Sequence, residues 1–200
     1  MTAKTIFQIL NITLPIGSPR DAALIVIDAQ EEYRTGGLPL SGLEAALEKV
    51  ALLQAHWRKQ GGTLIHIRHH SPEGSLFDPT SPMADIMPEA APIGDEPVLT
   101  KQVPNAFGGT DLKARLDQLG LHHVVLAGFM THICVSTTAR AASEMGLAVT
   151  VVGDAVTTRD LPATDGGPAL AAADLHRAEL AMLADGFAKV TDTATILAQG

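Results

Sequence analysis

Short, continuously apolar runs recur along this chain, and segments with a helical hydrophobic pattern separate them. The runs are residues 23–27, 63–67, 123–127, 148–152 and, more weakly, 188–191. Residues 98–100 could form one more short strand. Because each run is apolar throughout rather than at alternate positions, it predicts a strand that is buried on both faces of a sheet.

Helical patterns fill the intervals between these runs. One apolar stripe extends from Leu43 to Trp57 and ends at Gly61 and Gly62. Further helices are predicted for residues 111–119, 131–145 and 169–184, each closely followed by a glycine. Strands that alternate with helices in this way form a parallel sheet covered on both faces, with right-handed crossovers. The sequence therefore predicts an α/β fold.

Composition excludes several classes of partner and compartment. The net charge is −8 and the basic residues are scattered, which argues against nucleic acid and anionic membrane surfaces as partners. One cysteine excludes an internal disulfide, so nothing requires an oxidising compartment. Residues 1–14 lack the layout of a signal peptide, and no apolar run approaches the roughly 18 residues of a membrane helix. We expect a cytoplasmic protein that binds no membrane.

Polar side chains follow several predicted strands. Asp28, residues 68–70, Gly128 and residues 153–154 all come directly after apolar runs. Because parallel strands present their carboxyl ends at one edge of a sheet, we expect these residues to share that edge. The Pro-rich residues 71–97 have no clear periodicity, and they form either a binding loop or a lid.

Asp28 and Lys101 each have a structural and a functional interpretation. Asp28 ends an apolar strand, so it is either a capping carboxylate or a general base whose pKa is raised by apolar walls. Lys101 follows an apolar segment, so it is either a solvated surface residue or a buried cation that stabilises a thiolate or oxyanion.

Cys134 lies at the start of the helix predicted for residues 131–145. It is either a small buried hydrophobic residue or a reactive thiol, whose pKa the helix N-terminus would lower in favour of thiolate. Because residues two apart on a helix do not face each other, we disfavour His132 as its base.

Metal and dinucleotide cofactors are not expected. Eight histidines are present, but no His-Glu-x-x-His or Cys-x-x-Cys motif accompanies them. Gly128 lacks the second and third glycines of a dinucleotide fingerprint.

Three segments together resemble the isochorismatase-like cysteine hydrolase family. They are residues 24–30, Lys101 with residues 105–112, and residues 127–140, followed by a matching stretch at 151–155. The resemblance covers about residues 21–190, so we expect an N-terminal extension over 1–20 and one hydrolase domain over 21–200. It implies a three-layer α-β-α sandwich, Rossmann-like, with a central, mostly parallel sheet of about six strands.

The resemblance also implies a mechanism. Asp28, Lys101 and Cys134 correspond to the family's catalytic triad. A cis peptide between Phe129 and Met130 would aim the Met130 N–H, together with the Cys134 N–H, into an oxyanion hole. The expected reaction is hydrolysis of an amide, carbamoyl or ureido C–N bond of a small molecule, through a covalent thioester-type intermediate.

Two family subgroups differ from this chain. Nicotinamidase relatives carry a metal-binding Asp-x-His after the second strand, where this chain reads His69, His70 and Ser71. True isochorismatases hydrolyse a vinyl ether and lack the nucleophilic cysteine. We therefore expect a metal-independent amidohydrolase.

Substrate-binding candidates follow from their proximity to these motifs. They are Gln30, Tyr33, Phe107, Phe129 and His132, which suggest a small, partly apolar pocket. His69 and His70 are further candidates for hydrogen bonds to a substrate.

Two other functions stay open. Asp28 and Lys101 could hydrolyse an isochorismate-like vinyl ether with Cys134 as a bystander, or the chain could be a non-enzymatic, flavodoxin-like binding module. The resemblance also implies a homo-oligomer, either a dimer or a tetramer.

Overall fold

The computed structural model of the protein describes residues 2–199, which form one sheet of six strands between two layers of helices. The strands are β1 (Ala23–Ile27), β2 (Leu64–His69), β3 (Val98–Lys101), β4 (His123–Phe129), β5 (Ala148–Thr157) and β6 (Lys189–Thr191). The α-helices are α1 (Ile6–Ile9), α2 (Leu43–Gln60), α3 (Leu112–Gln118), α4 (Ser136–Glu144), α5 (Ala172–Gly186) and α6 (Thr193–Leu197).

All strand pairs in the sheet are parallel, in the order β3-β2-β1-β4-β5-β6. The chain builds outwards from β1 to β3 on one side, and then returns to add β4, β5 and β6 on the other. The direction in which successive strands are added to the sheet therefore reverses between β1 and β4. In open parallel sheets, the crevice at such a switch point, outside the carboxyl ends of the strands, is where ligands bind.

Alternate residues of β1 face different helix layers, which explains why the whole strand is apolar. Leu24 and Val26 pack towards α2, whose Trp57 is wholly buried. Ile25 and Ile27 belong to the opposite cluster, which includes residues of α3, α4 and α5. The predicted three-layer α/β sandwich with about six strands is thus confirmed.

Several elements extend beyond the apolar runs that predicted them. β2 continues to His69, β4 to Phe129, and β5 to Thr157 after a register shift between Leu126 and Gly128. These added residues include histidine, glycine and threonine, which a search for continuously apolar runs passes over. The helix predicted for residues 131–145 is divided into a π-helical turn, Thr131–Val135, followed by α4.

The segment 71–97 is packed against the domain. It contains two short 3₁₀ turns, Pro82–Ala84 and Pro88–Ala90, each beginning with proline. The Met87 N–H donates to the Ala29 carbonyl at 2.8 Å, and the Gln54 side chain donates to the Ala90 carbonyl at 3.0 Å. Hydrogen bonds to α2 and to the segment that follows β1 therefore hold a connection that has little regular structure of its own.

The N-terminal residues lie beside α5. Thr5 caps α1, and the Ile6 N–H donates to the Asp185 carboxylate at 2.8 Å. The division into an extension over 1–20 and a domain over 21–200 stays a prediction. Among the residues described, no helix combines the length and apolar character needed to cross a bilayer.

Candidate active site

Asp28, Lys101 and Cys134 come together at the carboxyl edge of the sheet. Asp28 directly follows β1, Lys101 ends β3, and Cys134 lies in the turn after β4. The backbone of Asp28 has a positive φ of 48°, and its N–H donates to the Ile67 carbonyl at 2.9 Å. The chain therefore changes direction at Asp28 while its amide stays tied to β2.

The Lys101 ammonium is the centre of the cluster. Its Nζ lies 2.7 Å from Asp28 Oδ2, 3.0 Å from His69 Nδ1 and 3.4 Å from Cys134 Sγ. Its hydrogen bonds go to His69 Nδ1 and Cys134 Sγ, and its contact with Asp28 is an ion pair. Lys101 therefore links the carboxylate, the imidazole and the thiol.

Burial determines the protonation of the cluster. The side chains of Asp28 and Lys101 are completely excluded from solvent. Desolvation raises the pKa of Asp28 although the Lys101 charge opposes it, because burial disfavours a carboxylate. Burial and the negative charge of Asp28 raise the pKa of the Cys134 thiol to about 12, against the opposing effect of Lys101.

The interpretation of Cys134 as a thiol of lowered pKa is therefore wrong. The predicted cause was a helix N-terminus, but Cys134 lies within the π-helical turn Thr131–Val135, and α4 begins only at Ser136. Desolvation is the largest influence on this thiol, and it favours the neutral form. The sulfur keeps its proton at rest, beside a carboxylate that can accept it.

Gly128 lets β4 pass close to β1 just before this turn. Its φ is +108°, and a Cβ there would lie 2.1 Å from the Ile27 carbonyl oxygen. Only glycine fits such an approach. The peptide bond between Phe129 and Met130 is cis, as predicted.

A cavity of about 240 Å³ opens above Cys134. Its walls are mostly apolar and come from the β1–α2 connection, the end of β2, the segment 71–97, the segment after β3 and the turn after β4. The lining residues are Tyr33, Leu38, His69, Ser71, Leu76, Phe77, Pro104, Met130, Ile133 and Cys134.

Only Tyr33 among the five predicted substrate-binding residues lines this cavity. Gln30 is instead wholly buried, and its amide bonds the backbone N–H and carbonyl of His69 and the carbonyl of Ala84. The turn at Asp28 places this amide where it joins β2 to the segment 71–97. The structure therefore gives Gln30 a structural position.

The other three predicted residues also lie outside the cavity wall. Phe107 packs in the core cluster that contains Ile25 and Ile27. Phe129 is wholly buried and makes an edge contact with Tyr33, with ring centroids 6.0 Å apart. The His132 Nδ1 hydrogen-bonds Thr158 Oγ1. Each of these three side chains contacts protein neighbours, and substrate binding by any of them stays a prediction.

Phe77 and Leu76 are cavity residues that sequence reasoning missed. Phe77 has a φ of +59°, and the Glu32 carboxylate accepts its backbone N–H at 3.2 Å. Its ring packs against Tyr33 and His69, with centroids 5.3 Å and 5.2 Å away. The only sequence signal was that residues 71–97 are too long for an ordinary connection.

No cluster of three or more histidine, cysteine, aspartate or glutamate side chains within residues 2–199 has an arrangement that could hold a metal ion. The imidazole of His69 instead contacts Lys101, as described above.

The isochorismatase domain model matches residues 22–195, which is most of the chain. This protein belongs to the isochorismatase family. The resemblance found in the sequence is thereby confirmed, and with it the assignment to a family of hydrolases.

Isochorismatase-family relatives align along most of this chain. A secreted isochorismatase effector of Verticillium dahliae is 36% identical over 190 residues, covering 94% of this chain and 97% of that protein. A maleamate amidohydrolase of Pseudomonas putida is 35% identical over 161 residues, covering 72% of this chain and 76% of that protein. The crystal structure of an isochorismatase from Pseudomonas putida superposes with a TM-score of 0.93 at 40% identity, covering 98% of this chain and 100% of that one.

Proposed function

We propose that this protein hydrolyses an amide, carbamoyl or ureido C–N bond of a small molecule by covalent catalysis at Cys134. The observation that carries the proposal is the Lys101 ammonium, which lies 2.7 Å from the Asp28 carboxylate and 3.4 Å from a thiol on the cavity wall. A nucleophile, a base and a cation in mutual contact are what acyl transfer needs. The maleamate amidohydrolase relative supports this class of reaction.

In the proposed first half-reaction, the Asp28 carboxylate takes the proton of the Cys134 thiol, and Sγ attacks the substrate carbonyl carbon. Lys101 stabilises the negative charge as it forms on sulfur and oxygen. The tetrahedral intermediate then breaks its C–N bond, and Asp28 returns the proton to the departing nitrogen. Ammonia or an amine leaves, and a thioester remains on Cys134.

In the second half-reaction, Asp28 removes a proton from water, and the resulting hydroxide attacks the thioester carbonyl. The C–S bond breaks, the carboxylic acid leaves, and sulfur regains its proton. We assign the oxyanion hole to the backbone N–H groups of Met130 and Cys134. Both residues line the cavity, which supports this assignment.

The raised pKa values agree with this sequence of proton transfers. A resting thiol and a desolvated carboxylate can exchange one proton in either direction, because burial raises the pKa of both. A general base is most effective when its pKa lies near the working pH. The proposed mechanism uses no metal and no organic cofactor.

Ammonia release from a panel of small amides, ureas and carbamoyl acids tests the proposal. Wild type should turn over at least one compound, while Cys134→Ala and the isosteric Cys134→Ser should lose turnover. Mass spectrometry of the acid-quenched wild-type reaction should find the acyl group on Cys134. Ordinary turnover by Cys134→Ala would exclude the covalent route.

A second candidate is vinyl ether hydrolysis by Asp28 and Lys101, which the name of the Verticillium dahliae relative favours. The position of Cys134 in contact with Lys101 favours the amidohydrolase instead. Cys134→Ala separates the two, since it abolishes C–N hydrolysis and leaves vinyl ether hydrolysis by Asp28 and Lys101.

A purely structural, flavodoxin-like binding module is the third candidate. It assigns no chemistry to Cys134, so it predicts no acyl adduct with any amide of the panel.

We further propose a cytoplasmic, homo-oligomeric protein with an N-terminal extension over 1–20. The pI of about 5.4 and the scattered basic residues support the absence of nucleic acid partners.

A further inference from the structure

His69 contacts both the catalytic cluster and the cavity. Its Nδ1 lies 3.0 Å from Lys101 Nζ, and its ring packs against Phe77 on the cavity wall. Among the residues described, the one side-chain hydrogen bond of this ring is the contact of Nδ1 with Lys101. Because His69 lines the cavity and Nδ1 is occupied, Nε2 is the ring nitrogen left for a ligand.

The contact with Lys101 fixes the tautomer of this imidazole. An ammonium can only donate, so Nδ1 must accept, and a neutral ring then carries its proton on Nε2. Burial, Lys101 and His70 lower the pKa of His69 to about 4, which keeps the ring neutral at pH 7. The cavity wall therefore presents a neutral N–H donor.

The remaining walls suit an uncharged molecule. The lining residues other than His69 carry no formal charge at neutral pH, and they include Ser71 and Cys134. Lys101 is not part of this lining, and the Asp28 carboxylate at 2.7 Å already balances its charge. A carboxylate in this cavity would lose its hydration without gaining a counter-ion.

We propose that His69 determines substrate specificity: its Nε2–H binds an acceptor on the acyl group, and the cavity takes an uncharged amide that carries such an acceptor. This inference rests on the proposed function, because it places the amide carbon at Cys134. It adds to that function a substrate class, an uncharged acyl group with one acceptor atom, and a residue that recognises it.

Three amides of nearly equal size separate the possibilities. Pentanamide has no acceptor at the far end of its acyl chain, 4-oxopentanamide has an uncharged ketone there, and succinamate has a carboxylate. We expect wild-type kcat/KM to be about tenfold higher for 4-oxopentanamide than for pentanamide, as one hydrogen bond in a desolvated site provides. Succinamate should be the poorest of the three.

Two variants isolate the role of His69. His69→Leu keeps a similar volume but loses both hydrogen bonds, so the ratio of kcat/KM for 4-oxopentanamide over pentanamide should fall to about one. His69→Asn can still accept from Lys101 and donate to a ligand, so it should recover part of the ratio. A merely structural role would lower both rates alike and leave the ratio unchanged, which would overturn the inference.

Binding to Cys134→Ala keeps this test independent of turnover. Calorimetry should give 4-oxopentanamide a Kd about tenfold lower than that of pentanamide, and adding His69→Leu should remove the difference. Equal binding by both amides, or tighter binding of succinamate, would overturn the inference. Failure of the proposed function gives a different result. Cys134→Ala would then still bind 4-oxopentanamide more tightly than pentanamide, but wild type would show no Cys134-dependent turnover of these amides.

Discussion

Lys101 Nζ lies 2.7 Å from Asp28 Oδ2, in a place where neither side chain has any exposure to solvent. Taking two charges out of water costs several kcal/mol per ion, and the attraction between them offsets this only while both are present. The pair is therefore a weak source of stability, but each partner depends on the other. A single substitution in the pair should therefore affect both stability and catalysis, whereas replacing both residues should restore stability alone.

Asp28→Asn should reduce both the free energy of unfolding and the activity. It leaves Lys101 buried without its counter-ion, which costs about 3–5 kcal/mol. It also removes the proposed base, so kcat for a substrate found by the amide panel should fall at least 10²–10⁴-fold, as is typical of general acid–base groups. Urea denaturation and ammonia release measure the two effects.

The double variant Asp28→Asn/Lys101→Met is the matched control. It removes both charges from the buried site, so it should recover most of the lost unfolding free energy and none of the activity. Recovery of activity in the double variant would show that Asp28 acts only by balancing the charge of Lys101.

The Cys134 thiol should stay protonated in the folded protein at pH 9. Burial and Asp28 raise its pKa to about 12 in the fold, whereas an unperturbed thiol of pKa 9.0 is half ionised at that pH. Because the chain has one cysteine, the thiolate absorbance of wild type minus that of Cys134→Ala reports this group alone. The difference should be small for folded protein and large in denaturant.

Asp28→Asn tests the cause of this raised pKa. Removing the neighbouring negative charge should lower the pKa of Cys134, so more thiolate should form at pH 9 than in wild type. A folded wild-type protein that is already mostly thiolate at pH 8 would mean that Lys101 and the backbone N–H groups outweigh burial.

The layered fold was predictable because burial on both faces makes a strand continuously apolar. Ala23–Ile27 matches its predicted bounds for this reason. The carboxyl ends of β2, β4 and β5 were missed because their residues do not belong to the apolar core. His69 lines the cavity, Gly128 permits close backbone contact, and Thr157 donates to the Ser41 carbonyl. The pattern that predicts strands thus fails where the strands leave the core.

The residues that line the cavity were harder to predict from the sequence than the catalytic candidates, such as Asp28, that directly follow a strand. Gln30 is two residues from Asp28, but the positive φ of Asp28 turns the chain and directs the Gln30 amide to Ala84. Phe77 reaches the cavity through a backbone bond to Glu32, 45 residues earlier. Such contacts depend on tertiary structure and have no local sequence signature.

Glu96 should stabilise the protein at neutral pH and lose this effect in acid. It makes two hydrogen bonds to Arg58, at 2.7 and 2.8 Å, and one to His66 at 2.9 Å. The hydrogen bonds to Arg58 are the main cause that lowers its pKa from 4.5 to about 2. A depressed carboxyl pKa contributes stability above the unfolded value, and this is lost as pH falls through the folded value.

Glu96→Gln should therefore lower the free energy of unfolding by about 1–2 kcal/mol at pH 7, a figure reduced for partial solvent screening. The difference from wild type should shrink from about pH 5 downwards and largely disappear near pH 2. Glu48→Gln is the control, because Glu48 is exposed on α2 and makes no ion pair with any described residue. Equal effects of the two substitutions at pH 7 would contradict the prediction.

Gly128→Ala should be among the most damaging single substitutions in the sheet. The added Cβ would lie 2.1 Å from the Ile27 carbonyl oxygen, between two central strands that cannot separate without breaking their pairing. We expect a loss of more than about 3 kcal/mol of unfolding free energy, or no folded protein at all.

Gly146→Ala separates this clash from backbone strain. Gly146 also has a positive φ, +79°, but a Cβ there would meet no atom within 4 Å. Its replacement should cost only about 1–2 kcal/mol, the penalty of the left-handed conformation itself. If thermal and urea denaturation gave both variants the same small loss, β1 and β4 would have to move apart far more easily than their parallel pairing implies.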